Sequence, residues 1–126
     1  MTDFRRYIIL FITGAVGYCL IELLWRGRTH PSMALLGGIC LIVIHAINSV
    51  FCTKSCAFRA LLCAMAISLI EFTAGIILNV VLRLDVWDYS RQPLNIMGQV
   101  CPLYSMLWFF LSFVIIYIGG KIPFFR

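Results

Sequence analysis

The sequence predicts an all-α integral membrane protein, a four-helix bundle built from two tandem helical-hairpin halves. Three observations predict it. Of the 126 residues, 63% are hydrophobic and only 12% charged, whereas a soluble domain carries about 25% charged residues; the mean hydropathy is +1.02. Four apolar runs, 7–25, 33–51, 60–82 and 101–119, approach the roughly 20 residues that a helix needs to cross a hydrocarbon core of about 30 Å. The joins between them are short, so 1–126 reads as a single transmembrane domain with no room for a separate soluble catalytic or nucleotide-binding domain.

The first run follows Arg5 and Arg6. A secretory signal begins in the same way, but this run is longer than an ordinary signal core. Glu22, Trp25 and Arg26 stand where a small-residue cleavage site belongs, so the run reads as an anchor. Gly14 and Gly17 in this run, with Gly37 and Gly38 in the second, mark places where helices approach closely. The spacing of Gly14 and Gly17 is not that of a small-xxx-small seam. In the second run His45 and Asn48 share a helical face, and interhelical hydrogen bonding is the simpler reading than a proton relay or metal ligation.

The third run carries Glu71 near its middle, flanked on each side by more than two turns of apolar helix. Ionisable groups inside membrane helices are rare and usually face a bundle interior or a wet cavity. Glu22, in the first run, is the second such group. Its alternative reading is an interfacial residue paired with Arg26 at i, i+4. The two halves share an order, with a glutamate helix, then Trp and Pro, then a second helix: Glu22, Trp25 and Pro31 in one, Glu71, Trp87 and Pro93 in the other. In a parallel repeat Glu22, 15 residues past Tyr7, and Glu71, 11 past Ala60, lie about 22 and 17 Å along their helices. Both then fall in the membrane half facing the first and third connections.

The third connection, 83–99, is polar and aromatic. Trp87 and Tyr89 suit the membrane–water interface. Asp88 with Ser90 favours a turn, and Pro93 biases Gln92 towards extended backbone. Asn95 and Gly98 offer a tight turn before the fourth helix. Pro102 falls in that helix's first turn, where a missing amide proton costs little, and Tyr104 and Trp108 then share a face at i, i+4. Two readings stand side by side: an interfacial strap that joins two helices, or a lid completing a substrate-binding pocket made of Glu22, Glu71, Trp87, Asp88, Tyr89, Asn95, Tyr104 and Trp108.

The net charge of +5 does not point to nucleic acid, because the basic residues are scattered at the ends of apolar runs, as expected of side chains reaching lipid headgroups. With four spans, Arg5, Arg6, Lys54, Arg59, Lys121 and Arg126 fall on the side of the termini, and Arg26, Arg28, Arg83 and Arg91 on the other. That excess places the termini in the cytoplasm of a cell inner-membrane protein, with dual insertion and an antiparallel dimer as the alternative. Cys19, Cys40, Cys63 and Cys101 lie in or beside apolar runs, where cysteine behaves as a small hydrophobe. Cys52 and Cys56 are read in a polar turn, without the further ligands a zinc site needs. No metal and no cofactor is expected.

Several of these residues form a pattern. Trp87-Asp88-Tyr89-Ser90, Pro93, Asn95, Gly98, Cys101, Tyr104-Ser105 and Trp108 follow a helix with Glu71 and Gly75, preceded by Gly17-Tyr18 and Glu22-Leu23-Leu24-Trp25. The chain resembles the ABC-transporter type IV, or CmpB-like permease, family of small multi-pass membrane proteins. The likeness spans most of the chain and is looser in the first half, where Gly37-Gly38 stands in place of a tyrosine- and proline-containing segment. It implies a polytopic helical membrane protein. The chain has no phosphate-binding loop ending in Gly-Lys-Ser/Thr, so membership of an ABC system implies a separate ATPase or other membrane subunit, and the small size implies a homo-oligomer.

Three functions compete. The first is a permease-like protein that binds or transports a small solute, cation or amphiphile at an intramembrane carboxylate pocket. The second is a membrane-embedded enzyme acting on a lipid, with Glu71 or Asp88 as general base beside Tyr89 or Ser90. No metal triad, nucleophile elbow or cofactor motif supports it. The third is a non-catalytic assembly protein whose polar residues specify helix pairing.

Overall fold

The computed structural model describes residues 2–122; Arg126, counted above among the terminal charges, lies outside them. Among the described residues there are four helices long and apolar enough to cross a membrane and no strand, only an isolated bridge between Ile96 and Val100. The chain divides into two compact units, Met1–His45 and Ala46–Arg126. Each contains one helical hairpin, as the tandem-half reading anticipates.

The first unit pairs α1, Asp3–Arg26, with most of α2, Pro31–Val50. Local chemistry starts α1 earlier than hydropathy does. The Thr2 hydroxyl accepts from the Arg5 amide, and Asp3 stands in the first turn with Arg26 in the last, both charges opposing the helix dipole. Gly27 ends α1 at φ 73°, its amide donating to the Leu23 carbonyl, the left-handed exit that glycine takes at least cost. Pro31 opens α2, and the Nδ1 of His30 accepts from the Ser32 amide at 3.1 Å, so the imidazole does the work of a cap.

The hairpin closes where backbone meets backbone. A Cβ on Gly37 would lie 2.5 Å from the Cβ of Tyr18 and 2.6 Å from the Gly14 carbonyl oxygen. One on Gly38 would lie 2.6 Å from the Phe11 ring. Between membrane helices van der Waals packing replaces the hydrophobic effect, and small residues permit it. Gly14, Gly37 and Gly38 therefore serve as the sequence suggests, whereas Gly17 faces open space. Leu10 is fully buried, and Tyr7 meets His45 edge-on at 6.2 Å.

In the second unit α3, Cys56–Gly75, continues as a π-helical segment, Ile76–Val81, and α4 runs Pro102–Gly119. The Ser55 hydroxyl accepts from the Phe58 amide at 3.2 Å, so α3 begins a turn ahead of its apolar run, and Cys56 is helical rather than part of the turn. Arg59 in the first turns of α3 donates to the Asn48 side chain at the end of α2. Asn48 and His45 thus reach different partners. α3 and α4 are antiparallel: Cys56 at the start of α3 donates to the Phe113 carbonyl late in α4, and the Ser68 and Ser105 hydroxyls lie 2.7 Å apart. Pro102 opens α4, as its missing amide proton predicts. Exposed apolar side chains, such as Ile12 and Leu20 on α1 and Met106 and Phe110 on α4, suit contact with hydrocarbon rather than water.

Candidate functional site

Glu71 lies on the face of α3 that packs against α4 and is only 6% exposed. Two neutral donors from separate parts of the chain converge on one of its oxygens. The Tyr89 hydroxyl donates to Oε2 at 3.2 Å, and the indole Nε1 of Trp108 donates to the same atom at 3.3 Å. Tyr104, one turn before Trp108 on α4, stacks on Tyr89 with ring centroids 4.4 Å apart and planes within 7°. The Ser68 and Ser105 hydroxyls pair at positions three residues before Glu71 and Trp108. A carboxylate, a phenol, an indole and a tyrosine pair are thus gathered within one helical hairpin.

Tyr89 reaches Glu71 because the connection after α3 has a fold of its own. The Tyr89 amide donates to the Gly98 carbonyl at 2.8 Å, closing a loop. Inside it the Asp88 carboxylate accepts from the Ser90 amide at 2.9 Å, and the side-chain Oδ1 of Asn95 accepts from the Gly98 amide at 2.9 Å. The Asn95 amide group donates to the carbonyls of Ser90 and Gln92. Gly98 takes φ 73°. Asp88 and Asn95 therefore act as turn formers, as local chemistry predicts. The Ser90 amide, followed by the Ser90 hydroxyl, holds the exposed Asp88 carboxyl below its ordinary range. Four non-glycine residues, Arg83, Asp85, Leu94 and Met97, sit at positive φ, a conformation that costs an L-residue roughly 1–2 kcal/mol. The hydrogen bonds of this connection offset that cost.

Asn79, a residue to which the sequence reading gives no role, anchors the connection to α3 together with Gln99, the last residue of that connection. Asn79, in the π-helical segment, accepts from the Val86 amide at 2.7 Å and donates to the Gln99 side chain at 2.8 Å. Trp87 is 3% exposed and donates from Nε1 to the Gln99 carbonyl at 3.1 Å. Both Trp87 and Gln99 rest on Gly75, where a Cβ would lie 2.9 Å from the Cβ of Gln99 and 3.0 Å from the Trp87 ring. The π-helical register, with the Leu82 amide bonded to the Ile77 carbonyl, coincides with the turn that presents Asn79. The available signal was a primary amide within an apolar run, which seeks partners wherever it lies.

Of the eight residues named from the sequence, the structure brings Glu71, Tyr89, Tyr104 and Trp108 together. Trp87, Asp88 and Asn95 shape the connection that delivers Tyr89. Glu22 belongs to the first unit, where it accepts from Arg26 one turn later, the local ion pair that the i, i+4 spacing permits. Among the described residues no three His, Cys, Asp or Glu side chains come together as they do around a metal ion.

The family model described as Putative ABC-transporter type IV matches residues 8–123, and no curated protein and no solved structure matches the chain. The match covers both hairpins and the connection that carries Tyr89, and the chain belongs to that family.

Proposed function

We propose that this member of the family acts as a single multi-pass domain of the cell inner membrane, permease-like, with its termini in the cytoplasm. In this reading it binds or transports a small solute, cation or amphiphile at the Glu71 carboxylate, with Tyr89, Tyr104 and Trp108 as the contacting side chains. Trp87, Asp88 and Asn95 hold the connection above them, and Glu22 acts with Arg26 in the first unit. The observation that carries the reading is the convergence of Tyr89 and Trp108 on Oε2 of a carboxylate buried within an apolar helix. Burying a carboxylate is costly, and a helix pair that only needed packing does so more cheaply with apolar side chains. The family's description supports a separate ATPase or other membrane subunit as motor, and four spans are few for a complete permease, which supports a homo-oligomer.

The test is a thermal-shift screen of the purified protein in lipid nanodiscs against small solutes, repeated with Glu71→Gln. That substitution preserves an acceptor for Tyr89 and Trp108 while removing the charge. The reading expects at least one solute that protects the wild type and fails on the variant. A stable wild type that no solute protects, together with a Glu71→Ala variant that disperses the complex, supports the helix-pairing function in its place.

A further inference from the structure

We propose that Leu94, Ile96 and Met97, in the connection between α3 and α4, form an apolar ridge that inserts into the boundary between lipid headgroups and acyl chains. All three side chains are exposed, at 83, 57 and 64%. The bonding inside the connection leaves them there. Asn95, between Leu94 and Ile96, donates to the Ser90 and Gln92 carbonyls and accepts from the Gly98 amide, so the loop closes on the asparagine and its neighbours stay outside. Leu94 and Met97 sit at φ 57° and 54°, a left-handed backbone that glycine and asparagine tolerate and other L-residues resist. Two large apolar side chains are thus held outward in a conformation they do not favour, an arrangement that an apolar medium compensates and water does not.

Lipid is the partner because of where the connection is tied. α3 and its π-helical continuation span 26 residues, Cys56–Val81, about 39 Å, against a hydrocarbon core of about 30 Å. The connection does not carry on past that end but folds back along it. Asn79 holds the Val86 amide and the Gln99 side chain, Trp87 and Gln99 lie against Gly75, and Tyr89 reaches Glu71. Gly75 and Glu71 stand about 9 and 15 Å before Val81 along the helix. Even with the whole excess of about 9 Å emerging at this end, those ties fall at or inside the edge of the core. Residues 94–97 lie between the anchored Tyr89 and Gln99 and are kept beside the final turns of the span, where Val80, Val81 and Leu82 are also exposed. The exposed charges of the connection, Arg83, Asp85, Asp88 and Arg91, all precede the ridge and suit the headgroup layer. Trp87, which composition alone assigns to the interface, is buried, so that role passes to the ridge. The anchoring holds whether or not Glu71 binds a solute.

Two experiments on the full chain test the ridge. In the first, p-benzoylphenylalanine replaces Leu94, Met97 or, as control, Arg91, and the protein is irradiated in phosphatidylcholine liposomes. Mass spectrometry then identifies what each position has captured. The proposal expects several-fold more phosphatidylcholine adduct at Leu94 and Met97 than at Arg91. Capture of a second copy of the chain in place of lipid overturns it in favour of an interface between copies. No more lipid at the ridge than at Arg91 places the ridge in water and overturns it as well. The second experiment combines Leu94→Asn with Met97→Asn. Asparagine suits the left-handed backbone at both positions, so the pair relieves local strain while removing the apolar contacts. With the ridge in lipid, amide exchange over 83–99 in phosphatidylcholine nanodiscs accelerates by about tenfold or more. Exchange that slows or stays unchanged shows that only the strain mattered, and contradicts insertion.

Discussion

The hydroxyl of Tyr89 donates to the carboxylate of Glu71, 18 residues earlier, across 3.2 Å. This joins the connection between α3 and α4 to the carboxyl group inside α3, so any rearrangement of the connection is felt at that group. Replacing Tyr89 with Phe removes the donor and keeps the ring stacked on Tyr104. A hydrogen bond to a charged group contributes about 1.5–3 kcal/mol in water-soluble proteins, and side-chain bonds between membrane helices average about 0.6 kcal/mol. Tyr89→Phe is therefore expected to lower stability by about 1 kcal/mol in reversible denaturation in detergent micelles. A loss above about 3 kcal/mol indicates that the hydroxyl supports much more than one bond.

The first hairpin gives an independent prediction. Gly14→Val drives side-chain atoms into the Gly37 backbone, with the Cβ of Leu41 only 2.8 Å away. Overpacking of this kind costs about 1–3 kcal/mol. Gly17→Ala meets nothing within 4 Å and is expected to leave stability unchanged. Equal effects from the two substitutions contradict the crossing described for α1 and α2.

Asn79→Ala removes the acceptor of the Val86 amide and the donor to Gln99. Each buried polar group deprived of a partner costs about 1–3 kcal/mol, concentrated here on the connection. Amide exchange over 83–101 is expected to accelerate in the variant while that of α3 before Gly75 stays slow. Uniform acceleration along the chain argues that Asn79 supports the whole unit rather than the connection.

The Asp88 carboxyl titrates below its ordinary value of 3.8 because the Ser90 amide and hydroxyl donate to its charged form. A folded-state pKa below the unfolded one contributes stability that is full above the ordinary carboxylate range. That contribution is lost as pH falls through the folded value. Protease resistance of the connection is expected to hold from about pH 7 to about pH 5 and to weaken below about pH 4. Solvent screening keeps the change small. Asp88→Asn removes this acid response; an identical response in the variant assigns it to other carboxyls.

What could be read in advance was whatever depends on near neighbours in sequence. The four spans follow from composition, Asp88 and Asn95 from turn chemistry, Pro102 from its missing amide proton, and the Glu22–Arg26 pair from helical spacing. Glu71 stands out because a charge in an apolar run is rare. The early starts of α1 and α3 were written in Thr2 and Ser55, caps that a hydropathy window passes over. The remaining contacts depend on distant partners. Trp108 meets Glu71 across 37 residues and Ser105 meets Ser68 across the same interval, and neither pairing has a local signature. Asn79 and Gln99 bond across 20 residues, and the π-helical turn that presents Asn79 has no composition of its own.

The central claim is that Glu71, Tyr89, Tyr104 and Trp108 form a site for a solute rather than a closed knot of side chains. A high-resolution experimental structure in lipid, determined with a solute that protects the wild type in the thermal-shift screen, tests it most directly. The account predicts density for the solute against the Glu71 carboxyl, beside Tyr104 and Trp108, with the Tyr89 connection still folded above it. A dry contact in which Tyr89 and Trp108 close fully onto the carboxylate, with no density between them, contradicts it.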